Sequence, residues 1–153
     1  MIFINSSNQT LYLLNQNSIQ FKTKISTSFS GMGCAEGSFQ TPIGLHIITS
    51  KIGEGLALGT LFKHRRATNK IIDYIPDDDE DYITTRILRL GGLEDGFNQN
   101  DDVDSYKRYI YIHGTPHKDK LGHAKSHGCV RMCDEDIVKL FNQVDIGTLV
   151  FID

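Results

Sequence analysis

Between Tyr109 and Met132 the chain reads YIYIHGTPHKDKLGHAKSHGCVRM, a stretch that holds four of the six histidines (His113, His117, His123 and His127) together with Cys129. A cysteine acts as a nucleophile through its thiolate, so a thiol of ordinary pKa, about 8.5, needs a neighbouring imidazolium or a helix N-terminus to ionise it. Cys129 has both kinds of help within reach. The apolar run Tyr109–Ile112 would deliver His113 to the end of a strand, and His127 lies two residues away, on the same face wherever the backbone is extended. A helical pattern begins a few residues further on. Gly128, on a tight turn, could set the N–H groups of His127, Gly128 and Cys129 toward a developing oxyanion. These are the parts of a cysteine acyl-transfer enzyme.

Two other readings compete. His113, His117, His123, His127, Cys129 and Cys133 are ligand types suited to zinc, but the spacing holds neither a C-x2-C pair nor an H-E-x-x-H helix. The plainest reading is a glycine-rich surface loop whose histidines cap strands. It suits His117 and His123, which sit among lysines and glycines and read as exposed. It suits the Ser126-His127-Gly128-Cys129 cluster less well.

Period-two alternation carries most of the elements that must position this stretch. Met1–Ile4 and Thr10–Leu14 read as a hairpin across Ser6-Ser7-Asn8-Gln9. Ser18–Phe29, Leu45–Ser50, Leu56–Phe62, Tyr82–Leu90 and Tyr106–Ile112 read as strands, with Thr148–Ile152 closing the chain. The loops Gly31–Gly37 and Gly91–Ser105 are candidates for the walls of a groove. Lys63-His64-Arg65-Arg66 is the one dense basic cluster, either solvated surface or a seat for substrate carboxylates. Asp77–Asp81, an acidic run, reads as a solvated loop. Asp134–Val144 places Ile137, Val138, Leu140, Phe141 and Val144 at helical spacing, with Cys133 or Asp134 as N-cap and acidic residues in the first turn. The fold class is a mainly β, largely antiparallel domain with one helix over 134–144.

At 153 residues the chain reads as a single domain, 1–153, large enough for a core without disulfides. Net charge −3 and pI near 6.0 argue against nucleic-acid binding, and no apolar run approaches the roughly 20 residues of a membrane helix. The N-terminus turns polar at Asn5 and carries no secretory-leader pattern. Three cysteines suggest no disulfide framework. Together these lead us to expect a cytoplasmic location, with Cys34 and Cys133 as structural thiols.

Ser126-His127-Gly128-Cys129-Val130-Arg131-Met132, preceded by His113-Gly114-Thr115, resembles the signature of the L,D-transpeptidase catalytic domain (YkuD-like), and Thr41-Pro42-Ile43-Gly44 matches a turn-strand element of that family. The resemblance spans almost the whole chain. It implies a β-rich domain whose cysteine attacks the bond between the third residue, often meso-diaminopimelate, and the D-Ala of a peptidoglycan tetrapeptide stem, releasing D-Ala and leaving a thioester. Carried over by position, it makes Cys129 the nucleophile and His113 the general base, oriented by the Gly114 carbonyl. His127, Gly128 and Cys129 become the oxyanion donors. Arg131 and Ser126 become the substrate-side residues, Ser126 holding the loop and Arg131 either binding a substrate carboxylate or pinning the backbone. No cofactor is implied.

The thioester can be resolved by water or by an amine. The chain is similar to short members without a leader that act as cytoplasmic L,D-carboxypeptidases on recycled muropeptides, so hydrolysis is the expectation and L,D-transpeptidation the alternative. Outside the enzymes, the rival is a muropeptide-binding or zinc-stabilised module.

Overall fold

A computed structural model describes residues 1–16 and 18–153. Its first two strands, β1 (Ile2–Asn5) and β2 (Thr10–Asn15), form the expected hairpin. Ile2, Ile4, Leu11 and Leu13 point into the core, as the alternation requires. β3 (Ser18–Ser26) and β4 (Gly44–Ile52) follow. β5 (Thr60–Lys63) and β6 (Arg66–Ile71) are a second hairpin, and β7 (Ile83–Gly92) is the longest strand. β8 (Tyr111–Thr115) and β9 (Val130–Cys133) flank the chemical stretch, α1 (Asp134–Gln143) succeeds β9, and β10 (Leu149–Ile152) ends the fold. The fold is mainly β with one α-helix in its C-terminal half, as the sequence predicts. No helix among the described residues is long and apolar enough to cross a membrane.

The ladders run β4-β10-β1-β2-β3-β9-β8-β7, and β7 pairs back onto β4, so these eight strands close into a ring. Closure satisfies backbone groups that an open sheet would leave at its edges. Most pairs are antiparallel, but β1–β10 and β8–β9 are parallel. The second of these is the pair that brackets the histidine- and cysteine-bearing stretch. β6 remains an outer strand and is largely exposed; Arg66 and Lys70 keep that edge charged, which discourages pairing with another chain.

α1 turns Ile137, Leu140 and Phe141 inward onto a core shared with Ile2, Leu11, Ile112, Val130 and Val150, and it packs on β7, β8 and β9. Each such side chain contributes about 1.5–3 kcal/mol on burial. The last turn of α1 holds no basic residue, and β4 supplies one. Lys51 donates to the carbonyls of Phe141 (2.7 Å) and Val144 (2.6 Å), satisfying groups the helix end leaves open.

Several predicted boundaries move. Leu56–Gly59 is a turn rather than the start of a strand, because Gly55 and Gly59 both take positive φ. Lys63-His64-Arg65-Arg66 spans a hairpin whose two central residues, His64 (φ 50°) and Arg65 (φ 65°), are both left-handed, the backbone that matches strand twist at a two-residue turn. Tyr106–Tyr109 is also a turn, with Arg108 N–H donating to the Asp104 carbonyl at 2.9 Å. β8 therefore starts only at Tyr111, and His113 lies in mid-strand instead of at its end.

Candidate active site

β8 and β9 run parallel with His113 opposite Arg131 and Gly114 opposite Met132. Residues paired across a ladder share a face. Tyr111, two residues before His113, is on that face, and Cys129 packs against Tyr111, Phe62 and Ile87. Thiol and imidazole therefore belong to one face of one strand pair, reached from two parts of the sequence through the loop 116–128.

The surroundings of His113 determine its tautomer. The ring is fully buried, and Nδ1 lies 2.7 Å from the Gly114 carbonyl. A carbonyl only accepts, so Nδ1 carries the proton and Nε2 the lone pair. Among the described residues Nε2 has no partner. Burial lowers the imidazole below its ordinary range, outweighing Asp81 and the Gly114 carbonyl, which act the other way. The ring is neutral, with one free basic nitrogen. A side chain at position 114 would collide with Asp134, and its Cβ would stand 2.6 Å from the Thr84 carbonyl. Glycine is a steric requirement there.

Cys129 is partly buried and its Sγ lies 3.6 Å from the Tyr109 carbonyl. Burial, and after it the Asp81 carboxylate, push the thiol up to about 12, against weaker help from the Tyr111 amide, Arg131 and Arg108. The expectation that a helix N-terminus or His127 would hold a thiolate at rest is not met, for a physical reason. Asp134, Glu135 and Asp136 occupy the first turn of α1 and offset the positive end of its dipole, and His127 faces a carboxylate instead of the sulfur. The resting pair is a neutral thiol beside a neutral imidazole.

That carboxylate belongs to Asp81, which in the sequence reads as part of a solvated acidic run. Its Oδ1 accepts from Arg131 Nε at 2.8 Å and its Oδ2 lies 3.4 Å from His127 Nδ1. Burial opposes its ionisation, but the Arg131 guanidinium, with His127 beside it, holds its carboxyl below the usual range. No periodicity or spacing separates Asp81 from Asp77, Asp78 and Asp79; only the path of the chain after Pro76 brings it inward.

The loop 116–128 is tied down on both sides. Ser126 N–H donates to the Thr27 carbonyl (2.9 Å) and Phe29 N–H to the Ser126 carbonyl (3.0 Å). Ser126 Oγ donates to the Cys129 carbonyl (2.5 Å) and accepts from Gly128 N–H (3.3 Å). Ser126 and Arg131, expected on the substrate side, are both engaged within the protein. Ser126 is fully buried and its hydroxyl is spent inside the loop, while Arg131 is 1% exposed with its guanidinium on Asp81. The pinning role is the one the geometry supports for both. Gly128 sits at φ 129°, a backbone most side chains avoid.

His117, expected to be exposed, is fully buried, with Nε2 3.1 Å from the Glu80 carbonyl and its ring tilted 5.8 Å from Tyr82. It helps Lys120, which bonds Asp79 at 2.8 Å, hold the acidic loop against the loop 116–128. His123 takes no part. Among the described residues no three histidine, cysteine or acidic side chains converge as a metal would require.

Fold and site together define a class: a closed, mainly β scaffold whose parallel strand pair bears a buried histidine and leads out of a cysteine loop. The chain belongs to the YkuD family, the L,D-transpeptidase catalytic domain, whose family model matches residues 1–152. It is 42% identical over 45 residues to the putative L,D-transpeptidase YqjB of Bacillus subtilis (strain 168), a match covering 29% of this chain and 26% of that protein. It is 51% identical over 47 residues to the probable L,D-transpeptidase YbiS of Escherichia coli (strain K12), covering 30% of this chain and 15% of that one.

Solved structures agree on the fold. An L,D-transpeptidase from Mycobacterium smegmatis superposes with a TM-score of 0.59 at 14% identity, covering 99% of this chain and 57% of the other. L,D-transpeptidase 3 from Mycobacterium tuberculosis, in complex with a faropenem-derived adduct, does so at 0.56 and 18%, covering 99% and 59%. The chain thus spans somewhat more than half of these structures, and the sequence matches span about a quarter or less of the curated relatives.

Proposed function

We propose that residues 1–153 act as one cysteine-dependent catalytic domain that cleaves the L,D bond between the third residue and the terminal D-Ala of a peptidoglycan tetrapeptide stem, on a free peptide or muropeptide. The observation that carries the reading is the buried, neutral His113, whose Nδ1 is fixed by Gly114 and whose Nε2 is unpartnered on the face shared with Cys129. Such a nitrogen takes the proton from the thiol as Sγ attacks the carbonyl carbon of the third residue. The amides of His127 and Cys129 donate to nothing among the described residues, and that of Gly128 makes only a long bond to Ser126, so they are available to the oxyanion. Collapse breaks the C–N bond. The imidazolium of His113 returns its proton to the departing amine, D-Ala leaves, and the acyl group remains on Sγ as a thioester.

Water or an amine then resolves the thioester. Water needs no docking surface, whereas a second stem does. Hydrolysis asks least of the site and is the outcome we propose, making the domain an L,D-carboxypeptidase; transfer to an amine is the second reading. Mass spectrometry of products from the purified protein and a disaccharide tetrapeptide, with and without an acceptor amine, tests both. Tripeptide and free D-Ala are expected, whereas cross-linked or amine-exchanged product would replace hydrolysis by transpeptidation. Cys129→Ala is expected to abolish D-Ala release and keep the fold. Survival of release in that variant, or inactivation by a chelator with no effect of a thiol alkylator, would remove the cysteine mechanism.

A further inference from the structure

Beside the thiol stands a group of residues for which the acyl-transfer steps have no use. Arg65, at the left-handed second position of the β5–β6 turn, donates Nη1 to the Tyr111 hydroxyl at 3.1 Å and lays its guanidinium 4.7 Å from the centre of the Tyr109 ring. Arg89, from β7, lies 5.1 Å from the same ring and 3.5 Å from that of Tyr106. Among the described residues neither arginine has a carboxylate within ion-pair distance, although the protein carries net negative charge. Nε of Arg89 is buried and without a partner.

Tyr109 joins this pair to the chemistry. Its backbone, at φ 58°, is in a region that costs a non-glycine residue free energy and persists only when its surroundings hold it. Its carbonyl is the oxygen facing Cys129 Sγ. Arg65, Tyr109 and Tyr111 line a cavity of about 340 Å³ with His64 and Ile83, near the small end of the range for ligand pockets. Cys129 packs against the cluster of Phe62, Ile87 and Tyr111, the last of which also lines that cavity. Both guanidiniums stack on the Tyr109 ring with no carboxylate to offset their charge, so an anion beside them is attracted. The planar donor fork of arginine fits a carboxylate in particular.

We infer that Arg65, backed by Arg89, forms a carboxylate seat next to Cys129 and selects substrates bearing a carboxylate a few bonds from the scissile carbonyl. Two groups of a tetrapeptide stem have that chemistry: the terminal carboxylate of the departing residue, and the side-chain carboxylate of a diaminopimelate at the third position. The peptide part of the inference rests on the function proposed above; the charge preference at the thiol does not.

The test therefore has two arms. In the first, Cys129 is alkylated with iodoacetate, which is anionic, and with iodoacetamide, which is neutral, and the ratio of the two rates is compared between the wild type and Arg65→Ala. Taking the ratio within each protein cancels any change in the thiol itself. A fall of about tenfold is expected, with Arg65→Lys, which keeps the charge and loses the fork, in between. An unchanged ratio in Arg65→Ala overturns the seat.

The second arm measures kcat/KM of both proteins on tetrapeptides ending in a free acid or an amide, with diaminopimelate or lysine at the third position. A loss in Arg65→Ala that vanishes with the amide assigns the seat to the terminal carboxylate. One that vanishes with lysine assigns it to the side chain. An equal loss on all four overturns the seat. If the wild type cleaves none of them while the alkylation ratio still falls, the acyl-transfer reading fails and the seat stands.

Discussion

Asp81 sets the electrostatics of the pair at the centre of this site. One carboxylate holds Arg131 and His127, favours protonated His113 and disfavours ionised Cys129. Replacing it with asparagine removes the charge that opposes the thiolate and leaves Arg131 and Arg108, which favour it. In Asp81→Asn the iodoacetamide rate at Cys129, measured at one pH between 7 and 8, is expected to rise on the order of three- to tenfold. The same change leaves Arg131, 1% exposed, without its partner. Urea unfolding should show a loss of about 1–3 kcal/mol, less than for a fully buried pair because the carboxylate keeps some solvent. A slower alkylation would mean that Asp81 acts on the thiol through loop position instead of charge. The chain displays Asp81 openly as one of a run of acids, yet its role is invisible there because five similar residues differ only in where the backbone carries them.

The element that makes the site is the parallel β8–β9 pair with the loop it encloses. β8 passes so close to β7 and the start of α1 that Gly114 has no room for a Cβ, and Thr84 Oγ1 bonds Asp134 at 2.7 Å across the same gap. Gly114→Ala is expected to cost about 1–3 kcal/mol by overpacking. It should also reduce turnover beyond any loss of folded protein, because the shifted carbonyl is the one that fixes the His113 tautomer; normal kcat in folded variant would exclude that role. β7 answers the same crowding with a bulge at Thr85, a β-branched residue at φ 67°, where the ladder slips between Thr84 and Ile87 directly opposite His113 and Gly114. Bulges of this kind re-aim side chains near sites. Period-two alternation reveals β1, β2 and β10 well, since each has one face in the core, whereas β7 is buried on both faces. It misplaces the start of β8 because Tyr106 and Tyr109 are apolar for a different reason: they stack on arginines.

Across the whole molecule, closure of the strands draws polar groups inward far from the thiol, and these govern the response to acid. His46 on β4 is fully buried between the Gly44 carbonyl (3.0 Å) and Ser105 Oγ (2.9 Å), and burial lowers it to about 4. Between that value and the ordinary 6.5 the unfolded chain binds a proton that the folded one does not, so stability rises with pH across this window. From pH 6.5 down to about 4 the unfolding free energy is expected to fall, with a contribution from His46 on the order of 3 kcal/mol. His113, also depressed, acts in the same direction. Urea unfolding at several pH values checks this, and His46→Gln should flatten the slope; an unaltered slope would place the acid sensitivity elsewhere.

By itself the sequence determined the family, the mainly β fold and the helix, and it carried the chemistry proposed here, because each is written in local terms: residue types side by side in Ser126-His127-Gly128-Cys129, and hydrophobic periods of two and 3.6. Only the tertiary structure decided the state of that chemistry. Whether Cys129 is thiol or thiolate, which nitrogen of His113 is free, and whether Arg131 or Arg65 is open to a ligand all depend on burial and on charges brought in from Asp81, Tyr109 and Arg89. Desolvation and Coulomb interactions act through space over a few ångströms, and the partners they join are distant along the chain.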